Sequence, residues 1–129
     1  MNDLSAHPLG GITLIERPGA TVARLWGEVD DALREQASAA LARALDRDLP
    51  VVLDAGDITF IDSTGIAFLV QFCRIGREEG FPVTLRNPPA VVRDVLEILG
   101  MAGLFDAVET PGPGAGDGAA GPDERVDVG

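Results

Sequence analysis

Short apolar runs separated by turn residues occupy the start of the chain, and a longer repeat follows. Residues 12 to 15 (ITLI) and 21 to 26 (TVARLW) are rich in aliphatic and β-branched side chains, as strands are. Between them, "RPGA" puts Pro18 at the first central position of a turn and Gly19 at the second, where positive φ is expected. This pattern predicts a hairpin. From 31 to 46 the apolar period changes. Leu33, Ala37, Ala40, Leu41, Ala44 and Leu45 recur at three and four residues, with Arg34, Glu35, Arg43 and Asp46 off that stripe. An amphipathic helix with a closely packing, alanine-rich face is the expectation.

After Pro50, "VVLDA" reads as a strand buried on both faces, and "ITFI" carries the chain to an abrupt corner, "FIDSTGIAFLV". A second helix is predicted from Ser63 to Glu79, with Ile66, Leu69, Val70 and Cys73 on its apolar stripe and Gly80 ending it. "PVTLR" alternates Val83 and Leu85 with Thr84 and Arg86, the mark of a brief, peripheral strand with one polar face. Asn87 then offers an N-cap, with Pro88 and Pro89 in the first turn, and Val92, Val95, Leu96 and Leu99 facing the core as far as Gly100. "MAGLFDAV" predicts a short return containing a strand or one more helical turn. The boundaries expected are a flexible N-terminus over 1–10, one domain over 11–110, and a disordered acidic tail rich in Gly and Pro over 111–129. Strand, strand, helix, strand, helix, strand, helix implies a small α/β domain: a mixed sheet of four to five strands with helices crossing over it.

Length and charge narrow the function classes. At 129 residues and 46% hydrophobic content, the chain can bury one real core. Its formal charge of −11 opposes nucleic acid and anionic membranes as partners. All 10 basic residues are arginine, so neither a lysine nucleophile nor a P-loop lysine is available. One cysteine, Cys73, lies in an apolar helical pattern and reads as a small buried hydrophobe. The N-terminus lacks the basic start and apolar run of a signal peptide, and no apolar stretch approaches the roughly 20 residues that span a bilayer. A cytoplasmic protein without membrane insertion is expected.

Hydroxyls in a strand-to-helix corner raise the question of catalysis. The nucleophile elbow G-x-S-x-G requires glycine two residues before the serine, and Ile61 stands there. The only histidine, His7, lies near the chain start, and one His with one Cys makes no zinc site. Neither an enzyme nor a bound metal or cofactor is expected. "VDD" at 29 to 31 reads as a helix N-terminal cap. In the corner itself, Asp62 or Ser63 serves as an N-cap worth about 1 kcal/mol, and Gly65 allows close packing in the first turn.

"GEVD" after a strand, "VVLDAGDITFIDSTGIAFLV" after a helix, and "NPPAVVRDVLEILGMAGLFDAV" near the end occur in that order. Together they resemble the STAS-domain anti-sigma factor antagonists of bacteria over roughly residues 11 to 108. The resemblance implies a single STAS-like domain in which Ser63, directly after Asp62, is the phosphate acceptor. It further implies a serine kinase that doubles as an anti-sigma factor as the partner. The unphosphorylated antagonist binds that kinase and releases a sigma factor. The partner-facing surface implied by the resemblance comprises Glu28, Asp30, Asp62, Ser63, Thr64 and Gly65. "DDALREQ" departs from the polar, often threonine-bearing segment common at that place in the family, and the acidic tail is an addition. The alternative is a non-phosphorylated STAS scaffold or a module sensing an anion or nucleotide at the corner. Oligomeric state is not legible in the sequence.

Overall fold

Pro18 and Gly19 join the two strands of the hairpin: β1 (Gly10–Arg17) and β2 (Ala20–Val29) pair antiparallel, with Arg17 opposite Ala20. The computed structural model describes residues 9–105 and 107–109, so His7 and the expected tail over 111–129 lie outside the described residues. Gly19 is not among the glycines of positive φ, which are Gly27, Gly80 and Gly100. A turn whose central residues both keep negative φ accepts Pro18 equally well, and the expected left-handed residue is not needed.

A short 3-10 turn (Asp31–Leu33) leads into α1 (Arg34–Arg47), then β3 (Val51–Ile61), α2 (Ser63–Glu79), β4 (Val83–Arg86) and α3 (Ala90–Ile98). A second 3-10 turn (Ala102–Leu104) precedes β5 (Ala107–Glu109), so the final return contains both elements that "MAGLFDAV" left open. The five-stranded sheet runs in sequence order, β1-β2-β3-β4-β5, antiparallel at the first pair and parallel at the rest. Each parallel step moves the same way across the sheet, so right-handed crossovers place α1, α2 and α3 on one face. No helix among the described residues is long and apolar enough to cross a membrane.

The core forms between that face and the helices. Leu33, Ala37, Ala40 and Ala44 pack from the first helical segment, and Ile66, Phe68, Leu69, Phe72 and Cys73 from α2. Phe68 and Phe72 widen the α2 stripe beyond the four positions that its spacing marked.

Four expectations need correction. The run Val51 to Ala55 is not fully buried on both faces, because Val51, Leu53 and Ala55 point inward while Val52 and Asp54 are half-buried; farther along β3, Ile58 and Ile61 point inward while Gly56, Asp57, Thr59 and Phe60 are exposed. Two bulges explain the spacing. β3 carries an extra residue against Arg24/Trp26 and another against Gly27/Glu28, and each rephases the two-residue alternation by one. β4 is short but not peripheral: β3 and β5 flank it, and Val83 and Leu85 are buried. Asn87 does not cap α3. It takes φ 53 and donates its N–H to Glu109 O at 2.6 Å, the helix starting after Pro89. Leu99 lies past the last helical residue, with 49% of its surface exposed, because the helix ends before its turn reaches the core again.

Candidate functional site

Corner geometry begins with Asp62, which leaves β3 in extended conformation and caps α2. Its carboxylate accepts from the Gly65 N–H at 2.9 Å, and its carbonyl accepts from the Ile66 N–H at 2.9 Å. The first satisfies one of the orphan donors of a helix start, and the second is the first regular hydrogen bond of the helix. The cap therefore belongs to Asp62, and Ser63 becomes the first residue of the helix. Ser63 is exposed and Thr64 half-buried. Neither hydroxyl takes part in a hydrogen bond among the described residues.

Gly65 is there for clearance. A Cβ at this position would stand 2.3 Å from Val29 O and 2.6 Å from Ile61 Cγ1, so only glycine lets the first turn of α2 lie against the end of β2. Val29 O also accepts from the Asp62 N–H at 3.4 Å. The corner and the "GEVD" segment, 32 residues apart between Asp30 and Asp62 in sequence, thus form one contiguous surface.

Glu28 pairs with Phe60 across β2 and β3, and its N–H donates to Leu9 O at 2.9 Å. Gly27 just before it has φ 68, and a Cβ there would fall 2.1 Å from Leu9 O, so the chain crossing that aims Glu28 also depends on glycine. Asp30 caps the 3-10 turn, accepting from the Ala32 N–H at 2.9 Å, as the "VDD" pattern predicts. A groove of ≈ 220 Å³ opens beside these acids, lined by Leu9, Gly10, Glu28, Asp30, Leu33 and Gln36 among others. All six residues expected at the partner surface, Glu28, Asp30, Asp62, Ser63, Thr64 and Gly65, therefore gather at the carboxyl end of β2 and β3. Gly65, however, is buried and shapes the surface without contributing a side chain to it.

Sequence reasoning missed two neighbours of this surface. Phe60 is 48% exposed and lies in the row with Glu28. No local signal marked it: Phe60 stands two residues after Ile58, where a regular strand sets both on one face, and only the bulge between them turns Phe60 outward. The other is the pair formed by Arg24 and Asp57 across β2 and β3, in which Arg24 Nε donates to Asp57 at 3.0 Å. That hydrogen bond and the Asp57 charge raise the Arg24 pKa above the ordinary arginine value.

Three comparisons bear on this arrangement. The family described as Mlab, STAS domain matches residues 12–106. BtrV of Bordetella bronchiseptica, described as an anti-sigma factor antagonist, is 32% identical over 95 residues, which cover 73% of this chain and 82% of that protein. Among solved structures, the anti-sigma factor antagonist SpoIIAA in its unphosphorylated form aligns with a TM-score of 0.64 at 23% identity, covering 74% of this chain and 86% of that one. The phosphorylated form of the Bacillus cell fate determinant SpoIIAA gives 0.61 at 22% identity, over 74% of this chain and 89% of that one. An anti-sigma factor antagonist from Mycobacterium paratuberculosis gives 0.63 at 23% identity, over 77% and 85%. The structural likenesses establish the shared fold, and the family and sequence matches go further: this chain belongs to the STAS-domain anti-sigma factor antagonists.

Proposed function

We propose that this domain is a phosphorylation-switched antagonist. In its unmodified form it binds an anti-sigma factor that is also a serine kinase, and a sigma factor is released. Phosphorylation of Ser63 ends the binding. The observation that carries this reading is the division of labour at the corner: Asp62 performs the capping, which leaves the exposed Ser63 hydroxyl without a structural duty. A hydroxyl so placed is open to a kinase, and adding a phosphate leaves the existing hydrogen bonds of the corner in place.

Phosphoserine carries about −1.5 to −2 charges and three strong acceptor oxygens. At the first residue of a helix the macrodipole favours that charge, so the fold tolerates it. A partner packed on the same spot meets added bulk and must desolvate a dianion. Losing even about 3 kcal/mol of binding free energy weakens affinity more than a hundredfold. Anion or nucleotide sensing is less well supported, because the Asp62 carboxylate already takes the Gly65 amide and sets a negative charge beside the other amides of the first turn.

The test is incubation with each anti-sigma kinase encoded in the same genome, with and without ATP, followed by peptide mass spectrometry and calorimetry. One phosphate on Ser63, and at least a hundredfold weaker binding of the modified form, is the expected result. A phosphate on Thr64, or equal affinity of the two forms for a confirmed partner, refutes it.

A further inference from the structure

Next to the corner lies apolar surface that the phosphate switch does not itself require. Phe60 is 48% exposed and Leu9 72% exposed. They belong to one row across three strands' ends, since Leu9 O accepts from the Glu28 N–H and Glu28 pairs with Phe60. Topology keeps Phe60 in solvent. β4 pairs with β3 only from Val51 to Asp54, so at Phe60 no β4 residue lies alongside. The bulges turn Ile58 and Ile61 into the core and leave Phe60 outside it. A half-exposed aromatic on a strand end is costly in water, and aromatic side chains are enriched in the desolvated centres of interfaces.

We infer that Phe60 and Leu9 are the apolar anchors of the partner-binding surface, and that the partner meets them with an apolar socket carrying positive charge opposite Glu28 and Asp30. This rests on the partner-switch reading above. Two features favour such an occupant over a second copy of the chain. First, the row is continuous with the corner: Phe60 and Ser63 are three residues apart, so their Cα atoms are separated by no more than about 11 Å. Second, the charged groups framing the row, Glu28, Asp30 and Asp62, are acidic. A symmetric copy would set like charges against one another.

The anchors also say how one phosphate acts at a distance from the apolar contact. Dispersion contacts fall off steeply, and a gap of about 0.5–1 Å forfeits a quarter to a half of them. A phosphate on Ser63 lifts the partner off Phe60. The penalty of phosphorylation is then smaller once Phe60 has been truncated.

Calorimetry against the anti-sigma kinase that binds the unmodified wild type tests this, with melting curves for every variant. Phe60→Ala should weaken binding by about thirtyfold, the scale of an interface hot spot. Leu9→Ser should weaken it by about fivefold, Phe60→Lys should bind worse than Phe60→Glu, and the ratio of phosphorylated to unmodified affinity should shrink in Phe60→Ala. Leu9→Ser, at a position too exposed to affect folding, decides alone if the Phe60 variants do not fold. Binding by these variants within threefold of wild type overturns the inference while leaving the partner switch standing. So does a wild-type dimer that Phe60→Ala dissociates, because a second copy then covers the row. If no anti-sigma kinase binds the wild type, the switch and the anchors fall together.

Discussion

At the hairpin end of the sheet, Arg47 of α1 donates to Ala20 O at 2.9 Å, to Thr21 Oγ1 at 2.8 Å and to Arg17 O at 2.6 Å. Arg43 beside it grips both oxygens of Glu16 at 2.7 and 2.9 Å, and that hydrogen bonding holds the Glu16 carboxyl below its ordinary pKa. At the opposite end, where β2 and β3 finish, the charged side chains Glu28 and Asp62 have no ion-pair partner among the described residues, two hydroxyls lack hydrogen bonds, and Phe60 stands in water. One end uses its polar groups on the chain itself. The other spends little on itself beyond the Asp62 and Asp30 caps and the glycine clearances, which is the condition for presenting groups to something else.

Variants that break this contrast differ most in what they should leave intact. Gly65→Val has the largest expected effect, because its Cβ would stand 2.3 Å from Val29 O, backbone that cannot yield cheaply. Overpacking of this kind costs about 3 kcal/mol, read as a lower denaturation midpoint, and binding should fall with it because the corner and Glu28 lose their common frame. Arg47→Met comes next. It removes three hydrogen bonds from a side chain only 14% exposed and strips a partner from Thr21, a fully buried polar residue. About 2 kcal/mol of stability should be lost. Below the melting transition its affinity for the partner should match wild type, because the defect lies at the far end. A Gly65→Val protein that binds normally, or an Arg47→Met protein that folds normally but binds poorly, would erase the distinction between the two ends.

How much of this was legible depended on the kind of signal. The hairpin and the helices follow from periodicity, since each apolar stripe had only one face to bury, and the mixed sheet follows from the order of the elements; the order of the strands within it comes from the structure. The β3 bulges were not legible in that way: Ile58 and Ile61 keep a strand's composition while breaking its two-residue phase, and only the pairing with β2 shows where the extra residues sit. Asn87 misled for a related reason. It is a good cap by type, yet in φ 53 conformation it serves the β4–β5 edge, and that pairing is nonlocal. The six residues expected at the partner surface were named from the family resemblance that their motifs carry. Their convergence rests on Val29 O, which touches both the Asp62 amide and the space kept clear by Gly65, and no local pattern encodes that contact.

The smallest effects sharpen the comparison most, because they separate neighbours within the corner. Asp62→Ala removes the acceptor of the Gly65 N–H, and loss of an N-cap costs about 1 kcal/mol. Ser63→Ala removes a hydroxyl that bonds to nothing among the described residues, so its cost should stay below about 0.5 kcal/mol. Were Ser63 the cap, the order would be reversed. Thermal and urea denaturation of the two variants side by side therefore test the assignment of the cap without any partner. The same pair should part again in function. Under the proposed switch, Ser63→Ala is expected to bind the unmodified protein's partner with wild-type affinity and to resist inactivation by ATP, since it lacks the proposed acceptor but keeps the surface. Asp62→Ala should remain a substrate while its first helical turn frays. If Ser63→Ala proves the less stable of the two, the hydroxyl belongs to the fold after all, and the corner end of the sheet is not as uncommitted as its geometry indicates.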